Sequence, residues 1–164
     1  MDVYRSTGGR SPVARPAAVR VGHAERQVAI FLDSSAVLAA ADRADLNHAA
    51  ALAWFERADE PLLLGALTLG ELDVLLQREL GSAASLAVVR SITGGAIRLV
   101  TPTEADLTRA AALIDAAAEH HPRLADALMV AAAERLGVHR IATFDRRPIA
   151  VFRPRHVRAF DLEP

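Results

Sequence analysis

One stretch of the chain, Val28-Ala29-Ile30-Phe31-Leu32-Asp33-Ser34-Ser35-Ala36, predicts a buried strand that runs directly into a helix. Five consecutive apolar residues, three of them β-branched or aromatic, are typical of a strand covered on both faces in the middle of a parallel sheet. Ligands of open α/β sheets bind just beyond the carboxyl ends of the strands, where Asp33 stands. Taken alone, Asp33 is better explained as the cap of the following helix.

Strands and helices alternate along the rest of the sequence. We predict strands at 28–32, 62–64, 97–100 and 139–143, with a candidate fifth at the edge, 157–160. We predict helices at 36–42, 46–58, 68–80, 82–92, 103–120 and 124–136, ended by glycine or proline in several cases. This alternation predicts an α/β fold with a central, mostly parallel sheet of four to five strands, and the strand 28–32 at its centre.

The composition is that of one globular domain. A chain of 164 residues with 52% hydrophobic and 24% charged residues can bury a core. It has no cysteine, which excludes disulfides and thiolate metal sites, and no lysine, which excludes Schiff-base and Walker A chemistry. No apolar run is long enough to span a bilayer, and the first residues lack the apolar segment of a signal peptide. We therefore expect a cytoplasmic protein without a membrane partner.

Arginine is unevenly distributed. Residues 1–27 contain five arginines, Gly8-Gly9 and two prolines without an apolar period, and we predict a flexible Arg-rich extension before a domain at 28–164. Between Arg140 and Arg158 there are six arginines and one acid, Asp145. Such a run beside an acidic site would suit a polyanion, although a solvated surface explains a lone basic run equally well.

Four acids map to the edge of the sheet where strands end and helices begin: Asp33, Glu71, Asp126 and Asp145. Each has a structural explanation of its own. Thr68-x-x-Glu71 matches a capping box, Asp126 would complement the positive end of its helix, and Asp145 would suit a turn. Together, however, four carboxylates repel one another unless a cation neutralises them, and their oxygens suit Mg²⁺ or Mn²⁺. The histidines show no zinc spacing, and we interpret His120-His121 as a surface helix end.

Four segments in order carry a resemblance to a known family. They are Leu32-Asp33-Ser34-Ser35-Ala36, Thr68-x-x-Glu71, Leu124-Ala125-Asp126-Ala127-Leu128-Met129-Val130-Ala131-Ala132-Ala133, and Ile141-Ala142-Thr143-Phe144-Asp145-Arg146-Arg147. Over residues 28–160 the chain resembles the PIN-domain nucleases, most closely the VapC-type ribonuclease toxins of VapBC toxin–antitoxin pairs. The resemblance implies a PIN-like three-layer fold and a Mg²⁺-dependent endoribonuclease.

The resemblance also implies roles for particular residues and partners. Asp33, Asp126 and Asp145 would hold the metal, Mg²⁺ or in its place Mn²⁺, and Glu71 would be the fourth catalytic acid. Ser34 and Thr143 would line the pocket, and Arg146, Arg147 and Arg153 would bind RNA. Arg147 stands where many relatives have an acid, so the number of bound metal ions, one or two, is left open. The expected partners are a cognate VapB-type antitoxin and a second copy of the chain, on an apolar surface formed by helices 71–80 and 82–92.

Three other functions were weighed against this one. A haloacid-type phosphatase needs an acid where Ser35 stands and usually a catalytic lysine, so its support is poor. A non-catalytic RNA- or partner-binding module would gain nothing from keeping four mutually repelling acids. A PIN-domain nuclease that processes RNA outside a toxin–antitoxin pair remains open.

Overall fold

A computed structural model describes residues 29–164, and the predicted Arg-rich extension at 1–27 lies outside this range. In chain order the elements are β1 Ile30–Leu32, α1 Ser34–Ala41, α2 His48–Arg57, β2 Leu62–Gly65, α3 Ala66–Leu80, α4 Ser82–Thr93, β3 Ile97–Val100, α5 Glu104–Ala116, a 3-10 turn Ala118–His120, α6 Leu124–Leu136, β4 Arg140–Ala142, α7 Arg147–Ala150 and β5 Asp161–Glu163. None of the helices in this range is long and apolar enough to cross a membrane.

The five strands form one parallel sheet in the order β3-β2-β1-β4-β5, so that β1 is central as predicted. Phe31 of β1 lies between Leu63 of β2 and Ile141 of β4. Because all strands run the same way, the carboxyl ends of β1 and β4 are neighbours. This topology places the segments after Leu32 and after Ala142 side by side.

Helices cover both faces of the sheet, which confirms the three-layer α/β fold. Ile30 and Leu32 pack with residues of α1 to α4 on one face, while Phe31 packs with Met129 and Ala133 of α6 on the other. A third apolar cluster joins α5 to α6 and includes Leu113 of α5 and Val130 of α6. The complete burial of Phe31 and Leu32 explains why β1 is apolar at every position.

The predicted start of α3 is wrong. The helix begins at Ala66 with Gly65 as its N-cap, and no side chain caps it. Thr68 is therefore the third helical residue, buried in the structure, and Glu71 lies in the second turn instead of the first. The capping box proposed for Thr68 and Glu71 does not form, which removes the structural explanation of Glu71.

The predicted edge strand at 157–160 is also wrong, because β5 forms over Asp161–Glu163. Phe160, which made the earlier segment look like a strand, packs against two of the apolar clusters. Glu163 holds the strand instead: it accepts hydrogen bonds from Trp54 Nε1 at 2.9 Å and from Arg140, and its carbonyl accepts from the Thr143 amide. The edge strand is thus selected by polar contacts from other elements, which apolar periodicity does not reveal.

A buried ion pair ties α5 to α6. Asp106 is 2% exposed; it accepts hydrogen bonds from Arg135 Nε at 3.0 Å and closes a capping box with Thr103. Burial alone would raise the pKa of Asp106, but the bonds from Arg135 and Thr103 outweigh it and lower that pKa. A carboxyl with a lowered pKa in the folded state stabilises the protein above its ordinary pKa, and this stabilisation is lost as the pH falls.

We predict that Asp106→Asn lowers the free energy of unfolding at pH 7 by about 1–3 kcal/mol, because Arg135 and the cap lose their charged acceptor. The difference from the wild type should shrink as the pH falls below about 4, because the carboxyl of the unfolded wild type is protonated there first and that of the folded protein only at still lower pH. Urea unfolding across this pH range measures both effects. Glu104→Gln, at an exposed position in the first turn of the same helix, is the control and should change little.

Candidate active site

Asp33 lies directly after β1 and is 6% exposed. It is the N-cap of α1, as one reading of the sequence predicted, and its Oδ1 accepts from the Ser34 amide at 2.7 Å. Its Oδ2 accepts from the hydroxyls of Ser35 at 2.6 Å and of Thr143 at 2.8 Å. A cap needs only one acceptor oxygen, so the two hydroxyls on the other oxygen are an additional feature of this site.

Thr143 joins the ends of β1 and β4. It is 1% exposed, and its hydroxyl lies 3.0 Å from the Asp145 carbonyl and accepts from the Asp145 amide at 3.1 Å. Ser35 Oγ, 3.1 Å from the Thr143 hydroxyl, also accepts from the Phe144 amide. These contacts fix the backbone that carries Asp145 relative to Asp33, and Ser35 adds a second hydroxyl beside that of Thr143.

Asp126 is the third residue of α6 and is 3% exposed. Its two oxygens accept from Arg123 Nε at 3.0 Å and Nη2 at 3.1 Å. Burial raises the pKa of Asp126 more than Arg123 lowers it, and the negative charges of Asp33 and Asp145 raise it further. Asp126 and Asp145 line one cleft, and β1 pairs with β4, so the start of α6 lies close to the ends of these two strands.

Asp145 follows β4 and is partly exposed, with 43% of its side chain accessible. Its Oδ1 accepts from the amide of Arg147 at 3.3 Å and from Arg147 Nε at 3.2 Å. These bonds lower the pKa of Asp145 despite a smaller contribution from burial. Asp145 is therefore held as an anion at the mouth of the site, in the turn that its sequence predicted.

Glu71 faces the same site from α3. Its Oε2 is 3.6 Å from Arg123 Nη1, and its side chain is 33% exposed. Burial raises the pKa of Glu71; Arg123 opposes this, and the charges of Asp126 and Asp33 add to it. Arg123 thus bridges Glu71 and Asp126.

The donor set fits a hard divalent cation in chemistry: every candidate ligand is a carboxylate oxygen. Within residues 29–164, however, no three histidine, aspartate or glutamate side chains lie close enough together to enclose a metal ion. Arg123 occupies both oxygens of Asp126, and Arg147 binds Oδ1 of Asp145. Side-chain rotations of Arg123 and Asp145 would be needed to bring the carboxylates around one cation.

A cleft of about 350 Å³ opens beside the acids. It is lined by His120, His121, Pro122, Arg123, Asp126, Asp145, Arg147, Pro148 and Val151. Arg147 thus lies in the cleft, whereas Arg146 donates to the Pro164 carbonyl and Arg153 to the carbonyls of Ala150 and Phe152. Of the three arginines predicted to bind RNA, only Arg147 lines it.

Sequence reasoning missed three contributors to this site. Ser35 stood inside the quoted motif, and its position two residues after Asp33 was the available signal. Arg123 stood three residues before Asp126, a spacing that makes helical neighbours. His121, dismissed with His120 as a surface helix end, has a positive φ of 48° and turns the chain into the cleft.

The sheet is parallel and five-stranded, and helices cover both of its faces. Acids lie at the ends of β1 and β4 and at the start of α6. This arrangement defines a class of α/β proteins that place carboxylates at the strand ends. The family model for the PIN domain matches residues 30–153. The chain belongs to the PIN-domain family, which confirms the resemblance carried by the four motifs.

Individual relatives agree with this assignment. Ribonuclease VapC26 of Mycobacterium tuberculosis is 33% identical over 125 residues, which cover 76% of this chain and 93% of the relative. VapC20 of Mycobacterium tuberculosis, a toxin that cleaves the sarcin-ricin loop, has a similar fold, with a TM-score of 0.69 and 23% identity over 79% of this chain and 98% of that one. FitAcB of Neisseria gonorrhoeae gives a TM-score of 0.57 at 20% identity, over 78% and 99% of the two chains. The chain is therefore of the VapC type.

We predict that Thr143→Val destabilises the metal-free protein by about 1–3 kcal/mol, because the Asp145 amide and the Asp33 carboxylate each lose a buried partner. Thr143→Ser keeps the hydroxyl and loses one buried methyl group, so it should cost only about 0.5–1.5 kcal/mol. Chemical unfolding in EDTA compares the two. A valine variant as stable as the serine variant would contradict the structural role of the hydroxyl.

Proposed function

We propose that the protein is a metal-dependent endoribonuclease that acts as the toxin of a toxin–antitoxin pair. The observation that carries the proposal is the convergence of Asp33, Asp126 and Asp145 with Glu71 at the carboxyl edge of the sheet. Asp126 keeps a raised pKa although Arg123 binds both of its oxygens, as expected of a site built to receive more positive charge. The name of the relative ribonuclease VapC26 supports RNA as the substrate.

Asp33, Asp126 and Asp145 would hold the cation, with Mg²⁺ preferred and Mn²⁺ as a substitute. A cation bound there supplies an activated water and positive charge for the leaving oxygen of a phosphodiester. Glu71 is suited to accept the proton of the attacking water, because burial and its acidic neighbours raise its pKa towards neutrality. Thr143 and Ser34 hold Asp33 in place through its side-chain oxygens.

The cleft beside the acids would hold the RNA backbone. Arg147 is 92% exposed and lies at the cleft wall, and His120 and His121 line the same wall. An exposed guanidinium can bind a phosphate bidentately, and it keeps its charge at every physiological pH. We propose that Arg147 binds the phosphate next to the cleaved bond, while Arg146 and Arg153 remain candidates for contacts farther along the strand.

We predict that Asp33→Asn abolishes RNA cleavage and leaves the fold nearly as stable, because asparagine caps a helix about as well as aspartate. The hydroxyls of Ser35 and Thr143 can reverse their hydrogen bonds towards the new amide group. Cleavage by the wild type should require Mg²⁺ or Mn²⁺ and stop in EDTA. A gel assay with single-stranded RNA measures cleavage. Thermal melting of the wild type and of Asp33→Asn compares their stability.

Asp115→Asn is the matched control, since Asp115 is exposed on α5 outside the site. It should cleave at the wild-type rate. Full cleavage by Asp33→Asn, or persistent cleavage in excess chelator, would refute the metal mechanism. A protein that binds RNA without cutting it in any metal would instead support the non-catalytic alternative.

We further propose that an antitoxin segment binds in an apolar groove of about 630 Å³ between α1, α2 and α4. Its walls include Val37, Leu52, Phe55, Ala87 and Val88, and Leu52 is 42% exposed. A groove of this kind accepts the apolar face of a helix. Solved relatives include VapBC2 of Rickettsia felis bound to a DNA fragment from their promoter, which supports a paired partner.

The groove corrects the surface expected from the sequence. The leucines of helix 71–80 were expected to be available to a partner, but Leu72 and Leu76 are fully buried in the core. Ala84 and Ala87 of α4 line the groove, and partner binding by α4 stays a prediction. The homodimer remains a prediction, and light scattering of the purified protein tests it.

We predict that Ala87→Arg weakens the complex with the product of the adjacent antitoxin reading frame by at least about a hundredfold, since a desolvated guanidinium cannot be paired in an apolar groove. Ala111→Arg, at an exposed position of α5, is the control and should bind normally. Calorimetric titration measures both. Equal affinities of Ala87→Arg and Ala111→Arg for the antitoxin would show that the antitoxin segment binds outside the groove.

A further inference from the structure

Arg123 is in an unusual place for a cation. It is the N-cap of α6 and makes no side-chain capping bond there. The N-terminus of a helix carries partial positive charge, so a guanidinium at this position is unfavourable. Residues favoured at an N-cap are Ser, Thr, Asp and Asn, which accept hydrogen bonds from the first amides. Helix formation therefore gives no reason for arginine at this position.

The acids of the site do give a reason. Arg123 donates to both oxygens of Asp126, at 3.0 and 3.1 Å, and its third nitrogen lies 3.6 Å from Glu71 Oε2. One side chain thus contacts two of the four site acids, one of them almost fully buried, and offsets one of their two negative charges. These are the oxygens that a divalent cation would need, and the same electrostatic demand is met by the guanidinium.

We propose that Arg123 is an internal counter-cation of the acidic site: it competes with the divalent metal for Asp126, is released when the metal binds, and then binds a substrate phosphate in the adjacent cleft. This proposal rests on the metal-dependent function proposed above. Half of the Arg123 side chain is exposed, and it lines the cleft together with Arg147, so release needs only side-chain rotation.

Competition makes metal binding weaker than the four acids alone would allow. It also makes metal and RNA strengthen each other's binding, because a phosphate that binds the released guanidinium keeps that guanidinium away from Asp126. Such coupling is reciprocal: if the phosphate tightens metal binding by some factor, the metal tightens phosphate binding by the same factor. The site would then load its cation most readily when a substrate strand is present.

The first test is Mn²⁺ affinity in the absence of RNA. We expect Arg123→Gln to bind Mn²⁺ about tenfold more tightly than the wild type in calorimetric titration, because the competing charge is gone. Arg123→Lys should fall between the two, since it keeps the charge without the bidentate fork. Arg90→Gln removes one charge from an exposed position of α4 and should match the wild type.

Thermal melting gives an independent reading of the same difference. In EDTA, Arg123→Gln should melt at or below the wild-type temperature, since Asp126 loses its partner; in Mn²⁺ its melting temperature should rise by more than that of the wild type. Equal Mn²⁺ affinities in Arg123→Gln and the wild type would overturn the counter-cation. Absence of Mn²⁺ binding in every variant would overturn the metal function itself.

The second test measures the coupling. A fluorescent single-stranded oligonucleotide with phosphorothioate linkages, checked on a gel to be intact, is titrated with and without Mn²⁺. We expect Mn²⁺ to tighten binding to the wild type by about threefold or more and to lose this effect in Arg123→Gln. The same gain in both proteins would show that the released arginine does not bind the phosphate, and would overturn that step.

Discussion

Carboxylates buried together at the carboxyl edge of a parallel sheet are the constraint on which this structure depends. Asp33 and Asp126 are both more than nine-tenths buried, and an isolated buried charge is costly unless it is paired or hydrogen-bonded. The chain satisfies them differently: Asp33 by an amide and two hydroxyls, Asp126 by a guanidinium. The Thr143 contact of Asp33 connects the ends of β1 and β4, and Arg123 connects Asp126 at the start of α6 to Glu71 of α3.

Two acids that support the fold differ from two acids of the candidate site in the direction of their pKa shifts. Asp106 and Glu163 are acids too, but each has a lowered pKa, because arginine and neighbouring donors outweigh burial. They are therefore satisfied ion pairs that join elements. Asp126 and Glu71 have raised pKa values although Arg123 contacts both. Asp126 and Glu71 therefore still attract positive charge, whereas Asp106 and Glu163 are satisfied by their partners.

The proposed functions fall on two separate surfaces. We propose the acidic edge and its cleft for the chemistry, and the apolar groove between α1, α2 and α4 for a partner. Asp33 begins α1 at the acidic edge, and Val37 of the same helix lines the groove. A segment bound in the groove would lie against the helix that carries a site acid, which gives a physical route from partner binding to the active site.

The sequence by itself determined the central strand, the parallel α/β sheet, the bounds of β3 and α6, and the four acids, because strong apolar runs and glycine stops are local signals. It placed α3 two residues late and β5 four residues early, since Gly65 gives no side-chain cap and Glu163 is held by Trp54 and Arg140 from distant segments. Only the tertiary structure decided that Arg123 bridges Asp126 and Glu71, that His121 lines the cleft, and that Leu72 and Leu76 of α3 are buried. Each of these depends on which elements become neighbours, and charge pairing between separate elements leaves no periodic trace in the chain.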